Sequence, residues 1–180
     1  EAARNTRLSK TSDYGSGCSA DGNLIIAASI FDKLVAQLQK EGGHLATPEQ
    51  KEMLRKAMWD GERHRTVETV AIAPQQLAKI AGFEIPADRK FIMVHGDGIG
   101  KEHHFSGEKL TTLLALYKYE SFDQALAMMR GVYEVGGKGH SCGIYSFDDE
   151  HIDRLALMAP VSRIMVRQVQ SSSNAGTFTN

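Results

Sequence analysis

Apolar and polar positions alternate along the chain in two different rhythms, and the changes of rhythm mark its elements. Leu24 to Ala28 is a short apolar run suited to a strand; Ile30, Phe31, Leu34, Val35 and Leu38 then recur at helical spacing as far as Gly42-Gly43, where a stop is expected. Thr47-Pro48-Glu49-Gln50 places an N-cap threonine, a proline at the first helical position and a glutamine at the third, so a helix should run from Pro48 to about Met58. Ala73-Pro74 opens a second, shorter helix with Leu77, Ile80 and Ala81 on its apolar face and Gly82 at its end. Phe91 to Val94 and Leu110 to Tyr119 read as buried strands. Ser121 to Gln124 begins a helix that carries Ala125, Leu126, Met129 and Val132 to Gly136-Gly137. A strand at Gly143 to Phe147, a helix capped by Asp148 and stopped by Pro160, and a last strand at Ile164 to Val166 complete the pattern. Strands alternating with helices imply an α/β sandwich of three layers. No internal repeat, low-complexity tract or interdomain linker interrupts it.

Composition narrows the class. A chain of 180 residues, 42% hydrophobic and 24% charged, has the size and content of one globular domain. Its formal charge of -1 gives no reason to expect nucleic acid or an anionic membrane as partner. The apolar runs are far shorter than the roughly 20 residues that cross a bilayer. Two cysteines and no opening signal segment point to a reducing cytoplasm. The chain opens at Glu1 without Met and closes on Ser-Ser-Ser-Asn-Ala-Gly-Thr-Phe-Thr-Asn, as expected of a domain cut from a longer chain.

Candidate chemistry gathers at Ser9-Lys10-Thr11-Ser12-Asp13-Tyr14-Gly15-Ser16-Gly17-Cys18-Ser19-Ala20-Asp21. A cysteine after a Gly-Ser-Gly turn can sit where backbone approaches a substrate closely, and amides there can stabilise an oxyanion. A short helix starting at Cys18 would favour its thiolate through the helix dipole. On composition alone, an isolated cysteine is more often a small buried residue. Cys142, beside an expected strand, reads as a packing residue. His140, flanked by glycines, reads equally well as a solvated turn residue.

Other signals carry bland readings. Gly96-Asp97-Gly98-Ile99-Gly100-Lys101 has one residue too few for a phosphate loop, and Glu102 replaces its Ser or Thr. His95, His103 and His104 lack a well-spaced third ligand, so no metal site is expected. Glu62 to Arg65 reads as a solvated charged turn.

The cysteine segment resembles the active-cysteine segment of CoA-acylating aldehyde dehydrogenases, whose pattern is S-K-T-x-D-x-G-x-x-C-x-S/A. Three further stretches resemble the same family in the same order: Gly107 to Tyr117 its E-K-L-x-P-V-L-A segment, Gly137 to Ser146 its G-x-G-H-T/S element, and Arg163 to Arg167 its R-x-x-V motif. Thr112 stands where the family often has proline, which leaves the placement of Glu108 open. The resemblance implies an aldehyde-dehydrogenase-like catalytic domain over residues 1–180, without the N-terminal cofactor-binding lobe, so the isolated chain is expected to be inactive. It implies Cys18 as nucleophile, His140 as an assisting base, Glu108 as a contact to the nicotinamide ribose, NAD or NADP as oxidant and coenzyme A as acyl acceptor. The implied partners are a small aldehyde and, for the whole protein, further copies of itself. Ser12-Asp13-Tyr14, the Arg163 to Arg167 stretch and Asp148 to His151 are similar to members of the group that oxidise sulfoacetaldehyde. Two readings stay beside this one: a hydrolytic aldehyde dehydrogenase that releases a free acid, and a non-catalytic α/β module for assembly or binding.

Overall fold

A computed structural model describes residues 1–174; the closing residues 175–180, part of the stretch read above as a cut end, lie outside the described residues. Four parallel strands form the central sheet: β1 (Asn23–Ala27), β2 (Gly43–Leu45), β3 (Phe91–His95) and β4 (Leu113–Tyr119), in the order β1-β4-β3-β2. Every register is parallel, with Ile25 opposite Tyr117 and Met93 opposite Leu114.

Side chains alternate along β3 and β4, so each strand feeds two cores. Ile92, Val94, Leu113, Ala115 and Tyr117 face α3 (Pro48–Met58) and α4 (Pro74–Ala81), where they meet Leu54, Met58 and Leu77. Phe91, Met93, Leu114 and Leu116 face the other way, towards Ala3 of α1 (Ala2–Thr11) and Phe31, Val35 and Leu38 of α2 (Phe31–Lys40). Helix, sheet and helix make the three expected layers. Leu38, Leu54 and Leu77 are fully buried, each worth about 2 kcal/mol in apolar surface removed from water.

A satellite is attached to one end of this sandwich. Helix α5 (Phe122–Gly136) packs on β1 and β4 and carries Leu126 and Met129 against Leu155 of α6 (Asp149–Met158). A separate parallel pair, β5 (Gly139–Ile144) and β6 (Val161–Val166), closes the same small core through Cys142, Ile144 and Ile164. The short α7 (Gln170–Asn174) then returns to α1.

The caps read from the sequence are present. Thr47 accepts from the Gln50 amide at 3.2 Å while the Gln50 side chain accepts from the Thr47 amide at 3.1 Å. Asp148 caps α6 through the Glu150 amide. Three expectations are corrected. The strand placed at Gly143 to Phe147 is β5, earlier by several residues, because the ladder with Val161 to Val166 rather than apolar content sets its span; it starts at Gly139, whose amide donates to Pro160 O. The strand expected from Leu110 begins at Leu113, since Leu110 has left-handed backbone (φ 49°) and lies in a loop that runs on to Thr112. No helix starts at Cys18, which lies in a turn. Gly42 does end α2, with φ 96°, but Gly43 opens β2, where a Cβ would lie 2.8 Å from the Met93 methyl.

Candidate active site

Cys18 follows a tight turn whose shape is dictated by Gly15. Helix α1 breaks at Ser12, and Asp13, Tyr14 and Gly15 take left-handed backbone, at φ 48°, 50° and 69°. A Cβ on Gly15 would sit 2.5 Å from Thr111 O and 2.9 Å from Lys10 O, so only glycine lets the turn lie against the loop before β4. The close approach foreseen for this turn is therefore made to the protein's own backbone at Thr111. Cys18 itself is exposed, as a thiol that is to meet a substrate must be.

Strand β5 brings His140 to this thiol across 122 residues of sequence. His140 Nε2 lies 3.1 Å from Cys18 Sγ, and Nδ1 lies 2.9 Å from Ser141 Oγ. The backbone on either side is tied down, with Ser162 Oγ donating to His140 O at 2.8 Å and Tyr133 Oη donating to Ser141 O at 2.7 Å. An imidazole nitrogen facing a thiol, with the other nitrogen engaged, is the arrangement that moves a proton off sulfur. Cys142 is half-buried and belongs to the satellite core, and burial pushes its thiol up to about 11. It matches the packing role read for it.

Cys18 and His140 both border a cavity of about 670 Å³ whose lining also includes Lys10, Asp21 and Glu108, with apolar walls from Ile25, Phe122 and Met129 among others. Glu108 is exposed in this cavity, and the structure gives it no bond to Cys18 or His140. Beneath it lies charge that composition did not reveal. Lys10 is 1% exposed, and burial lowers its ammonium to about 8, opposed by the nearby carboxylates of Asp21 and Glu108. Asp21 keeps some residue exposure while its carboxyl is enclosed, and burial raises it to about 6 against the Ser9 hydroxyl and Lys10. Lys109, also 1% exposed, donates to Asn23 Oδ1 at 2.9 Å, Phe105 O at 2.6 Å and Gly107 O at 2.7 Å. Burial pushes its titration well below the ordinary lysine value, although only the ammonium form has hydrogens for all three acceptors.

The remaining signals separate. His95 stacks on Phe31 and His104 meets Trp59 edge-on, on opposite sides of the sheet, while His103 pairs with Glu102. Among the described residues no three His, Cys, Asp or Glu side chains are arranged to hold a metal ion. A smaller hollow of about 300 Å³ by Lys51, Arg55 and His104 shares no lining residue with the Cys18 cavity. Asp97, in the glycine-rich loop, pairs with Lys51. Arg65 corrects the solvated-turn reading: its guanidinium donates to Met58 O, Thr69 O and Lys109 O and lies 5.0 Å from the Trp59 ring, while Glu62, Arg63 and His64 are exposed. Ser141, Gln170, Lys10 and Lys109 carry no periodic signal, and Gln170 meets Ser141 and Lys109 meets Asn23 only once distant segments come together.

The three-layer α/β sandwich that carries Cys18 on its glycine-dependent turn has the fold of aldehyde dehydrogenases. No family model matches the chain. Sulfoacetaldehyde dehydrogenase from an Acholeplasma species is 30% identical over all of the chain, and the acylating sulfoacetaldehyde dehydrogenase of Bilophila wadsworthia is 32% identical over 98% of it. The structure of an acetylating aldehyde dehydrogenase from Geobacillus thermoglucosidasius is 32% identical and superposes with a TM-score of 0.93, covering 98% of this chain and 39% of that one. Over nearly all of its length the chain is similar to one part of the acylating aldehyde dehydrogenases, whose fold it shares. It spans 38% and 39% of the lengths of the two curated relatives. No described helix is long and apolar enough to cross a membrane.

Proposed function

We propose that residues 1–180 form the catalytic lobe of an enzyme that oxidises a small aldehyde to its acyl-CoA, with Cys18 as nucleophile, and that the cofactor-binding lobe lies in the rest of the protein. The observation that carries the reading is the 3.1 Å contact between His140 Nε2 and Cys18 Sγ at the edge of an open cavity. His140 takes the thiol proton, and the Cys18 sulfur bonds to the aldehyde carbon to give a thiohemiacetal. The Cys18 amide, with a donor from the other lobe, holds the oxygen as its charge develops. Loss of hydride from that carbon leaves a thioester on Cys18. Once His140 has passed its first proton to solvent, coenzyme A thiol attacks the thioester, His140 receives the proton of that thiol, and Cys18 leaves as thiolate. Exposure of His140 on the cavity rim suits it to both proton transfers.

NAD or NADP, when bound, supplies the hydride acceptor. The cavity fits such a cofactor in one respect that can be named: Glu108 offers an exposed carboxylate, the acceptor type that ribose hydroxyls require, in the same cavity as Cys18. Sulfoacetaldehyde is the proposed substrate, supported by the two curated relatives that bear its name.

The test is NAD(P)H formation by the protein with both lobes, offered sulfoacetaldehyde and short aldehydes, with and without coenzyme A, beside Cys18→Ala. Formation that needs both coenzyme A and Cys18 is expected. Turnover without coenzyme A would mean a hydrolytic enzyme, activity in Cys18→Ala would mean another nucleophile, and no turnover under any condition would favour a binding module.

A further inference from the structure

His140 is exposed, so something must keep its ring on Cys18 rather than in solvent. The hydrogen bonds to His140 O and Ser141 O fix the backbone but leave the ring free to turn. What remains is the Ser141 hydroxyl on Nδ1, and that hydroxyl has a second partner. Gln170 Nε2, from the start of α7, donates to Ser141 Oγ at 3.2 Å. Gln170 is 8% exposed, and it reaches this position because Gly143 has no side chain: a Cβ there would stand 2.6 Å from Gln170 Oε1.

We propose that Gln170 is a positioning residue which, through Ser141, holds His140 in the orientation that lets Nε2 take the proton of Cys18. This rests on the reading of Cys18 and His140 given above. A serine hydroxyl has one hydrogen and two lone pairs. Gln170 donates to one of those lone pairs and so holds the oxygen in place against Nδ1; when the ring hydrogen sits on Nδ1 and points at the other lone pair, Nε2 is bare towards the thiol. The proton then moves from Sγ to Nε2, giving a thiolate beside an imidazolium whose two N–H groups both have acceptors, Sγ and Ser141 Oγ. Without Gln170 the Ser141 side chain is free to rotate away from Nδ1, and the ring loses the contact that keeps Nε2 on Cys18.

The experiment follows the rate of Cys18 alkylation by iodoacetamide against pH in the protein with both lobes. Near neutral pH, Cys142 contributes little, because burial holds it as a thiol. Gln170→Met fills the same space without the amide, and Ser141→Ala and His140→Ala serve as references. The expected result is an upward move of the Gln170→Met profile by about half a pH unit, a threefold loss of thiolate at neutral pH. Ser141→Ala should move it the same way, and adding Gln170→Met to Ser141→Ala should move it no further, since both act through one hydroxyl. An unchanged Gln170→Met profile with a moved His140→Ala profile overturns the role of Gln170 and leaves the function standing. Equal movement in the presence and absence of Ser141 also overturns it, as a packing effect. A profile indifferent to His140 overturns both this inference and the base assigned to Cys18.

Discussion

Replacing Gly15 by alanine tests how the loop that carries Cys18 is held. Alanine must accept a backbone at φ 69°, at a cost of about 1 kcal/mol, and its methyl would lie 2.5 Å from Thr111 O and 2.9 Å from Lys10 O, inside the 3.0 Å that Cβ atoms essentially never breach. Both obstacles are backbone oxygens, which cannot rotate aside, so the turn must shift away from the loop before β4. Overpacking of this kind costs roughly 2 kcal/mol more, for a total of about 3 kcal/mol. Gly17, two residues on, has nothing within 4 Å of its would-be Cβ, so Gly17→Ala should stay within about 1 kcal/mol of the unaltered protein. Urea unfolding of the two variants reads the difference directly. Iodoacetamide reports its consequence: once the turn moves, the His140 contact is broken, and alkylation of Cys18 in Gly15→Ala should slow by on the order of fivefold at neutral pH. Equal stabilities for the two variants would refute the argument that Gly15 is present because Thr111 is close.

Lys109→Met removes three hydrogen bonds without opening much space, leaving Asn23 Oδ1, Phe105 O and Gly107 O short of a donor; a loss of about 3 kcal/mol in urea unfolding is expected, and a loss under about 1 would mean that water replaces the ammonium. Lys10 is held at about 8 in the fold against 10.5 unfolded, so the folded state binds fewer protons between those values and stability should rise as pH goes from 8 to 10, by up to about 3 kcal/mol from this group; Lys10→Met should flatten that rise in unfolding measurements at stepped pH, and an unaltered slope would contradict the burial argument. Thr47→Ala removes half of the capping box of α3 and should cost about 1 kcal/mol in thermal or urea unfolding, with no loss expected if the proline at the next position alone fixes the helix start.

Much of the sandwich was legible because its buried positions are apolar and periodic: α3, α4, β3 and the cap of α6 stand where the pattern puts them. Helix α1 was not, and the reason is physical. The residues it buries are Ala3, Thr6, Ser9 and Lys10, a stripe with almost no hydrophobicity, held by hydrogen bonds and charge instead. Strand β5 was misplaced for a related reason, since Gly139, His140 and Ser141 look like a turn until Val161 to Arg163 pair with them. In the site, Cys18 stood out locally through its glycines, whereas His140 gained weight only from the family resemblance. The turn at Gly139 that made it look solvated is the start of the strand that carries it to the sulfur. Gln170 sits before a run of serines that shows nothing of its contact to Ser141.

The geometry around Cys18 also explains why so polar a helix as α1 is tolerated beneath it. The Cys18 thiol is exposed on one side, so its position has to be set from behind. Apolar packing holds surfaces loosely in direction, while hydrogen bonds fix it. Ser9, fully buried on α1, accepts from the Asp21 amide and from the Ser171 amide, each at 3.2 Å, and its hydrogen serves the Asp21 carboxylate. Ser19, next to Cys18, donates to Ser171 O at 3.4 Å. One hydroxyl thus joins the segment leaving Cys18 to the start of α7, and the residue before Ser171 is Gln170, which reaches His140 through Ser141. Thiol and imidazole are therefore referred to the same short stretch of backbone, although they come from opposite parts of the fold. On this argument the 3.1 Å contact depends on residues 170 and 171 more than on the sheet, and a change that frees α7 from Ser9 should loosen both partners together while leaving the two main cores intact.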